Sequence, residues 1–398
     1  MADVKMDYTK GFWEKRKYYN NIVKKNLLTI VLTVITIILC VASILSIDTS
    51  EDINNGRTHD IEEYIVDIDY KKDFRILQLS DIHLGTKDDI EEHLDFMALT
   101  INEANADLIE LNGDIFTYAN KRVAKRLFEF IDGFGVPWTL VFGNHDEQCS
   151  FPIDWLTDYL NNYGSNCVFK DVAGDDVFGC SNHAVNLIEN GKTKYQLIFI
   201  DSNRYYFGDY IGYDYIKPSQ IKWYERLIEN EKNKNGKVVD SLLFFHIPFE
   251  EFNTAWYEAG GENAVNAIKA QGGGRDENSK KGLESHIDYS EYTKQYGKQD
   301  AVFEYGFAEP YASSPKYNSK FFDTILKLGS TKGVFVSHDH TYNSRILYKG
   351  VYLGFSVNST DRVIRDNNMM GGHVIVIHDD NTLTFEHIYH TYEDIDNE

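Results

Sequence analysis

Residues 75–83 read Arg-Ile-Leu-Gln-Leu-Ser-Asp-Ile-His, and this stretch decides the fold. A short, mostly apolar run of this length is a strand signal. It ends in Asp81 and His83, two metal-type donors. In extended chain, residues two apart point to one side, so both can address one cation. The construction recurs. Asp107-Leu-Ile-Glu-Leu-Asn-Gly113 runs into Asp114, and Trp138-Thr-Leu-Val-Phe-Gly143 into Asn144, His145 and Asp146. Ser241-Leu-Leu-Phe-Phe245 ends at His246, and Gly333-Val-Phe-Val-Ser337 at His338-Asp339-His340. In open α/β sheets, sites form beyond the carboxyl ends of the strands, so donors distant in sequence converge on one rim. All are nitrogen or oxygen donors, a set suited to Zn, Fe or Mn. Two such ions about 3.5–4 Å apart hydrolyse phosphate esters.

Between these runs the pattern alternates. Helical periodicity covers 90–105, 121–132 and 218–231, and a further strand is expected at 61–68. Asn190-Gly191 between apolar runs is a hairpin signal. The stretches 345–357 and 373–390 read as antiparallel strands. The fold class is therefore α/β with an antiparallel C-terminal part. Residues 250–318 show little periodicity and contain the Gly-rich stretch 271–281, an insertion between the fourth and fifth clusters. It reads either as a substrate-shaping lid or as a solvated surface loop.

The formal net charge is −22, although residues 1–26 carry seven Lys/Arg against three acids. An acidic domain without a visible basic groove makes nucleic acid an unfavourable partner. Residues 27–46 (LLTIVLTVITIILCVASILS) are uncharged and long enough to cross a bilayer as a helix. The expected organisation is a basic cytoplasmic tail (1–26), a transmembrane helix (27–47), a tether with the first strand (48–72) and a catalytic domain (73–392). The basic flank keeps the N-terminus cytoplasmic and places the domain outside the cytosol. A cleaved signal peptide, giving a secreted domain, is the rival reading. Cys149, Cys167 and Cys180 allow at most one disulfide within the domain, and three reduced thiols fit equally well. Of the remaining histidines, His183 is the most ambiguous.

The ordered set D-x-H, G-D, G-N-H-D, H and S-H-D-H resembles the signature of the calcineurin-like metallophosphoesterases, over about residues 73–392. The stretches Gln220–Glu225, Leu243–Pro248 and Val334–His340 look most like the single-domain, purple-acid-phosphatase-like branch. The resemblance implies a four-layer α/β/β/α sandwich. It implies one ion held by Asp81, His83, Asp114 and His340, and a second by Asp114, Asn144, His246 and His338, with metal identity open among Mn, Fe and Zn. His145 would protonate the leaving group or stabilise the transition state; Asp146 would orient His145 or cap a turn. The implied reaction is hydrolysis of a small-molecule or protein phosphate ester, with monoesters favoured. A diesterase of the same fold and a non-catalytic metal-binding receptor or scaffold are the alternatives. Two departures stand out. Ser337 replaces the family's usual Gly. Thr117 occupies the position where related enzymes place Asp or a tyrosine ligand, with Tyr118 one residue late, so no iron–tyrosinate centre is expected.

Overall fold

The computed structural model describes residues 58–395 apart from 88, 173, 175, 262, 264, 265, 267–296, 307–311 and 363–369. The apolar run 27–46, its basic flank and the Gly-rich stretch 271–281 lie outside the described residues. Among the described residues, no helix is long and apolar enough to cross a membrane.

Two sheets carry the architecture, with strands numbered in chain order. The smaller runs β15 (Leu383–His390), β14 (Met370–Ile377), β2 (Phe74–Leu79), β3 (Leu108–Asn112) and β4 (Trp138–Val141). The larger runs β1 (Ile65–Asp69), β5 (His183–Glu189), β6 (Lys192–Phe199), β9 (Ser241–Phe244), β11 (Thr331–Val336), β13 (Val351–Phe355), β12 (Arg345–Tyr348) and β10 (Ala301–Tyr305). A separate hairpin pairs β7 (Tyr205–Phe207) with β8 (Ile211–Tyr213). β3, β4 and β9 are buried at every position. A strand covered on both faces has no polar side to show, which is why these segments read as continuous apolar runs.

Three clusters of buried side chains define the layers. Phe74, Ile76, Leu108 and Val141 of the smaller sheet meet Leu197, Phe199, Phe244 and Phe335 of the larger one. The other face of the smaller sheet packs on the helices Ile90–Ala104, Lys121–Asp132 and Ile153–Asn161. The outer face of the larger sheet packs on Pro218–Asn235, Glu251–Glu258 and Phe321–Leu328. The order is thus helix, sheet, sheet, helix. β2, β3 and β4 are parallel and in register, Leu79 beside Leu111 and Asn112 beside Val141. β6, β9 and β11 are likewise parallel, with Phe199, Phe244 and Phe335 level. The chain therefore leaves five apolar strands at one rim, and each donor cluster follows one of them.

Two expectations are corrected. The strand expected at 61–68 begins only at Ile65; Ile61–Tyr64 is a 3-10 turn with a reciprocal Asp60/Glu63 capping box. The insertion 250–318 is not irregular throughout. It supplies the helix Glu251–Glu258 and the edge strand β10, which pairs antiparallel with β12. Of the two readings open for the cysteines, the reduced one is found: Cys149, Cys167 and Cys180 are free thiols.

One buried carboxyl stands apart from the rim. His373, Gln78, Glu110 and Thr139 are register neighbours across β14, β2, β3 and β4, a polar row between the sheets. Among the described residues neither carboxyl oxygen of Glu110 has a hydrogen-bond partner, and burial pushes its carboxyl well above the usual range. The folded state therefore keeps a proton that the unfolded chain releases as pH rises past its ordinary value. Stability falls with pH in that window, by up to about 1.4 kcal/mol per pH unit for one proton. In Glu110→Gln this contribution is absent. The stability difference, variant minus wild type, should rise with pH from about 4.5 upward in denaturant titrations, following the ordinary glutamate pKa. A flat difference would show that Glu110 is ionised in the fold.

Candidate metal centre

The donors converge through strand ends and forced turns. Asp81, His83, Asp114 and His338 all adopt left-handed backbone conformations. That conformation is uncommon for residues other than glycine and concentrates at functional sites. Gly113 has φ +81°, and a β-carbon there would sit 2.6 Å from the His246 ring. A β-carbon at Gly143 would lie 2.3 Å from the Asp114 backbone nitrogen. Both glycines are needed so that the backbone can close on the donors.

Two groups of donors result. Asp81, His83, Asp114 and His340 bring ligand atoms within 4.8 Å of one another, and so do Asp114, His246 and His338. Asp114 belongs to both. Its Oδ2 lies 3.1 Å from His246 Nε2 and 3.6 Å from His83 Nε2. Asp81 Oδ1 is 3.2 Å from His340 Nε2, which is 3.3 Å from His83 Nε2. Buried polar atoms are normally hydrogen-bonded. Among the described residues, ion pairs apart, Asp81 Oδ1, Asp114 Oδ2, Asn144 Oδ1, His246 Nε2 and His338 Nδ1 are buried without a hydrogen-bond partner. These atoms fit a pair of cations, which would satisfy them together.

The electrostatics agree with that fit. Burial pushes the His83 imidazole down to about 4 and that of His338 down to about 3, so both are neutral and able to donate a lone pair. For Asp114, burial acts to raise the carboxyl, but the facing imidazoles of His246 and His83 outweigh it and hold it below the usual range. Burial works against the His246 proton, yet the Asp114 charge lifts that group to about 10. A proton there does the work a cation would do.

The surroundings hold each donor. Asn144 Nδ2 donates to Tyr205 Oη at 3.0 Å, leaving its Oδ1 for the centre. His83 Nδ1 lies 2.7 Å from Thr117 Oγ1, and His246 Nδ1 lies 2.8 Å from Ser337 Oγ. The Tyr213 ring meets that of His338 edge-on at 4.5 Å. Tyr118 is 71% exposed, and it is Thr117 that touches a donor. From the insertion, Ser313 donates twice to Asp339, between His338 and His340, so one end of that segment reaches the rim.

His145 belongs to neither donor group. Its side chain is 33% exposed, with Nε2 4.0 Å from Asp114 Oδ2. Its backbone N–H donates to Asp114 Oδ1 at 2.7 Å, and its Nδ1 lies 2.9 Å from Gln148 Oε1. Asp146 does not orient this ring. Its two oxygens accept from the backbone amides of Phe116 (2.8 Å) and Gly143 (2.7 Å), tying two strand-end turns together. Of the two readings of Asp146, these bonds fit the turn anchor, and Gln148 is the side chain beside the His145 ring that was overlooked. His183 sits between the sheets with Nε2 2.6 Å from Thr139 Oγ1, apart from both donor groups.

A family model described as calcineurin-like phosphoesterase matches residues 74–273. The chain belongs to that family. An Arabidopsis thaliana protein named "Probable inactive purple acid phosphatase 29" is 25% identical over 303 residues, 67% of this chain and 67% of that protein. Saccharomyces cerevisiae "Phosphatase DCR2" is 28% identical over 207 residues, 45% of this chain. The chain covers only 35% of the yeast protein's own length. A crystal structure of a dimetal phosphatase from Danio rerio aligns with a TM-score of 0.49 at 11% identity, covering 80% of this chain and 96% of that one.

Proposed function

We propose that this protein is a membrane-anchored phosphoesterase that hydrolyses phosphate monoesters at a two-metal centre. One observation carries the reading: a single buried oxygen, Asp114 Oδ2, faces imidazole nitrogens from both donor groups. When bound, two ions of the Mn, Fe or Zn type would polarise the phosphoryl group and activate a water. The protein's own contribution is placement. Asp114 serves both groups with Oδ2 while its Oδ1 holds the His145 backbone. Gln148 fixes one ring nitrogen of His145 and leaves the other toward the centre, where it can give a proton to the departing alkoxide. Asp146 keeps the turns of both residues rigid.

The names of some plant relatives carry the word inactive, which favours a second reading, a metal-binding receptor without turnover. Against it, none of the seven donor positions is lost here. Support for monoesters comes from the likeness to purple acid phosphatases. Rates on an aryl monoester and on the corresponding bis-aryl ester separate the two, with the monoester expected to be faster. The anchor rests on the uncharged run 27–46 behind a basic segment, which sets the catalytic domain outside the cytosol.

A further inference from the structure

The two residues that depart from the family pattern, Ser337 and Thr117, both place a hydroxyl against a donor histidine. Ser337 is 1% exposed. Its Oγ donates to the Asn112 carbonyl at 2.7 Å and lies 2.8 Å from His246 Nδ1. A carbonyl only accepts, so the single hydroxyl proton is committed there and the face turned to the imidazole is a lone pair. The Asn112 carbonyl, 2.9 Å from the same Nδ1, also offers lone pairs only. Nδ1 must therefore carry a proton, and Nε2, facing Asp114 Oδ2, is the nitrogen left for a metal once a cation replaces its proton. A glycine at 337 would leave the carbonyl as the one acceptor for this ring. At His83 a hydroxyl again meets the Nδ1 side of the ring. Thr117 Oγ1 lies 2.7 Å from Nδ1, while Nε2 faces Asp114 Oδ2 at 3.6 Å and Asp81 Oδ1 at 4.0 Å.

We propose that Ser337 and Thr117 are positioning residues: a buried and a half-buried hydroxyl that hold the Nδ1 sides of His246 and His83, with Nε2 of each ring aimed between the two donor groups. The inference rests on the two-metal reading above. It explains why these departures cost the chain no ligand. Outer partners of this kind orient a ligand and raise its basicity, and their loss typically weakens metal binding 10–100-fold.

The test is calorimetric titration of the metal-stripped full chain with Mn(II), comparing wild type with Ser337→Ala, Ser337→Gly, Thr117→Val and Thr117→Ser. Ser337→Ala, Ser337→Gly and Thr117→Val should each weaken binding about 10-fold or more, with melting of the stripped proteins little changed. Thr117→Ser, which keeps the hydroxyl, should bind like wild type. Should Thr117→Val fail to fold, Ser337→Gly carries the test, since it restores the residue usual in the family. A wild type that binds two ions beside variants within about twofold of it overturns this inference alone. A wild type that binds no metal overturns the two-metal reading, and the inference with it.

Discussion

Asp114→Ala is expected to abolish phosphate release and to strip the protein of bound metal. Asp114 is fully buried, and it alone belongs to both donor groups. Removing it takes a ligand from each ion at once and leaves His246 Nε2 without the carboxylate 3.1 Å away. It also frees the His145 backbone from Oδ1. Metal-borne charge stabilisation is worth several kcal/mol in the transition state, so kcat/KM on an aryl phosphate should fall by about 10³-fold or more. Metal content measured on the purified variant should fall in parallel. Asp114→Asn isolates the charge, because an amide oxygen can still accept from His145. It should retain the fold and still lose most of the metal. Wild-type turnover in either variant would show that Asp114 does not join the two groups.

His145→Ala should behave in the opposite way toward metal. The ring lies in neither donor group and is partly exposed, so metal stoichiometry should stay at the wild-type value. The loss appears in kcat, about 10²–10⁴-fold for a positioned general acid. It should grow as the leaving group becomes more basic, because a nitrophenolate departs without a proton and an alkoxide does not. A leaving-group series run on both proteins checks this. An equal loss on every ester would assign His145 to transition-state stabilisation instead. Gln148→Leu, which removes only the partner of Nδ1, should show the same trend with a smaller loss.

Much of this centre was legible because its donors follow apolar strands. Strands buried on both faces read as unbroken apolar runs, and parallel register carries their ends to one rim. What stayed hidden depends on contacts between segments. The Tyr205 hydroxyl meets Asn144 from 61 residues away. Asp146 had two equal readings until its partners, the Phe116 and Gly143 amides, were placed. The helix Ile153–Asn161 went unread because it is short and buries only Leu156, Thr157 and Leu160, while Trp155 and Tyr159 stack on its partly covered flank. The 3-10 turn at Ile61–Tyr64 did carry a signal, the Asp60/Glu63 capping box, which the apolar Ile61, Tyr64 and Ile65 disguised as a strand. β10 is a five-residue edge strand whose place depends on β12, more than forty residues later in the chain. Ser337 and Thr117 were visible as departures, but their hydroxyl partners were not.

The most direct measurement is phosphate release from an aryl phosphate by the wild-type chain, stripped and then reloaded in turn with Mn, Zn or Fe, with bound metal counted in the same samples. Two ions per chain together with turnover in at least one loading is the expected result. Two ions bound with no turnover on mono- or diesters would contradict the enzymatic account and leave a metal-binding receptor in its place.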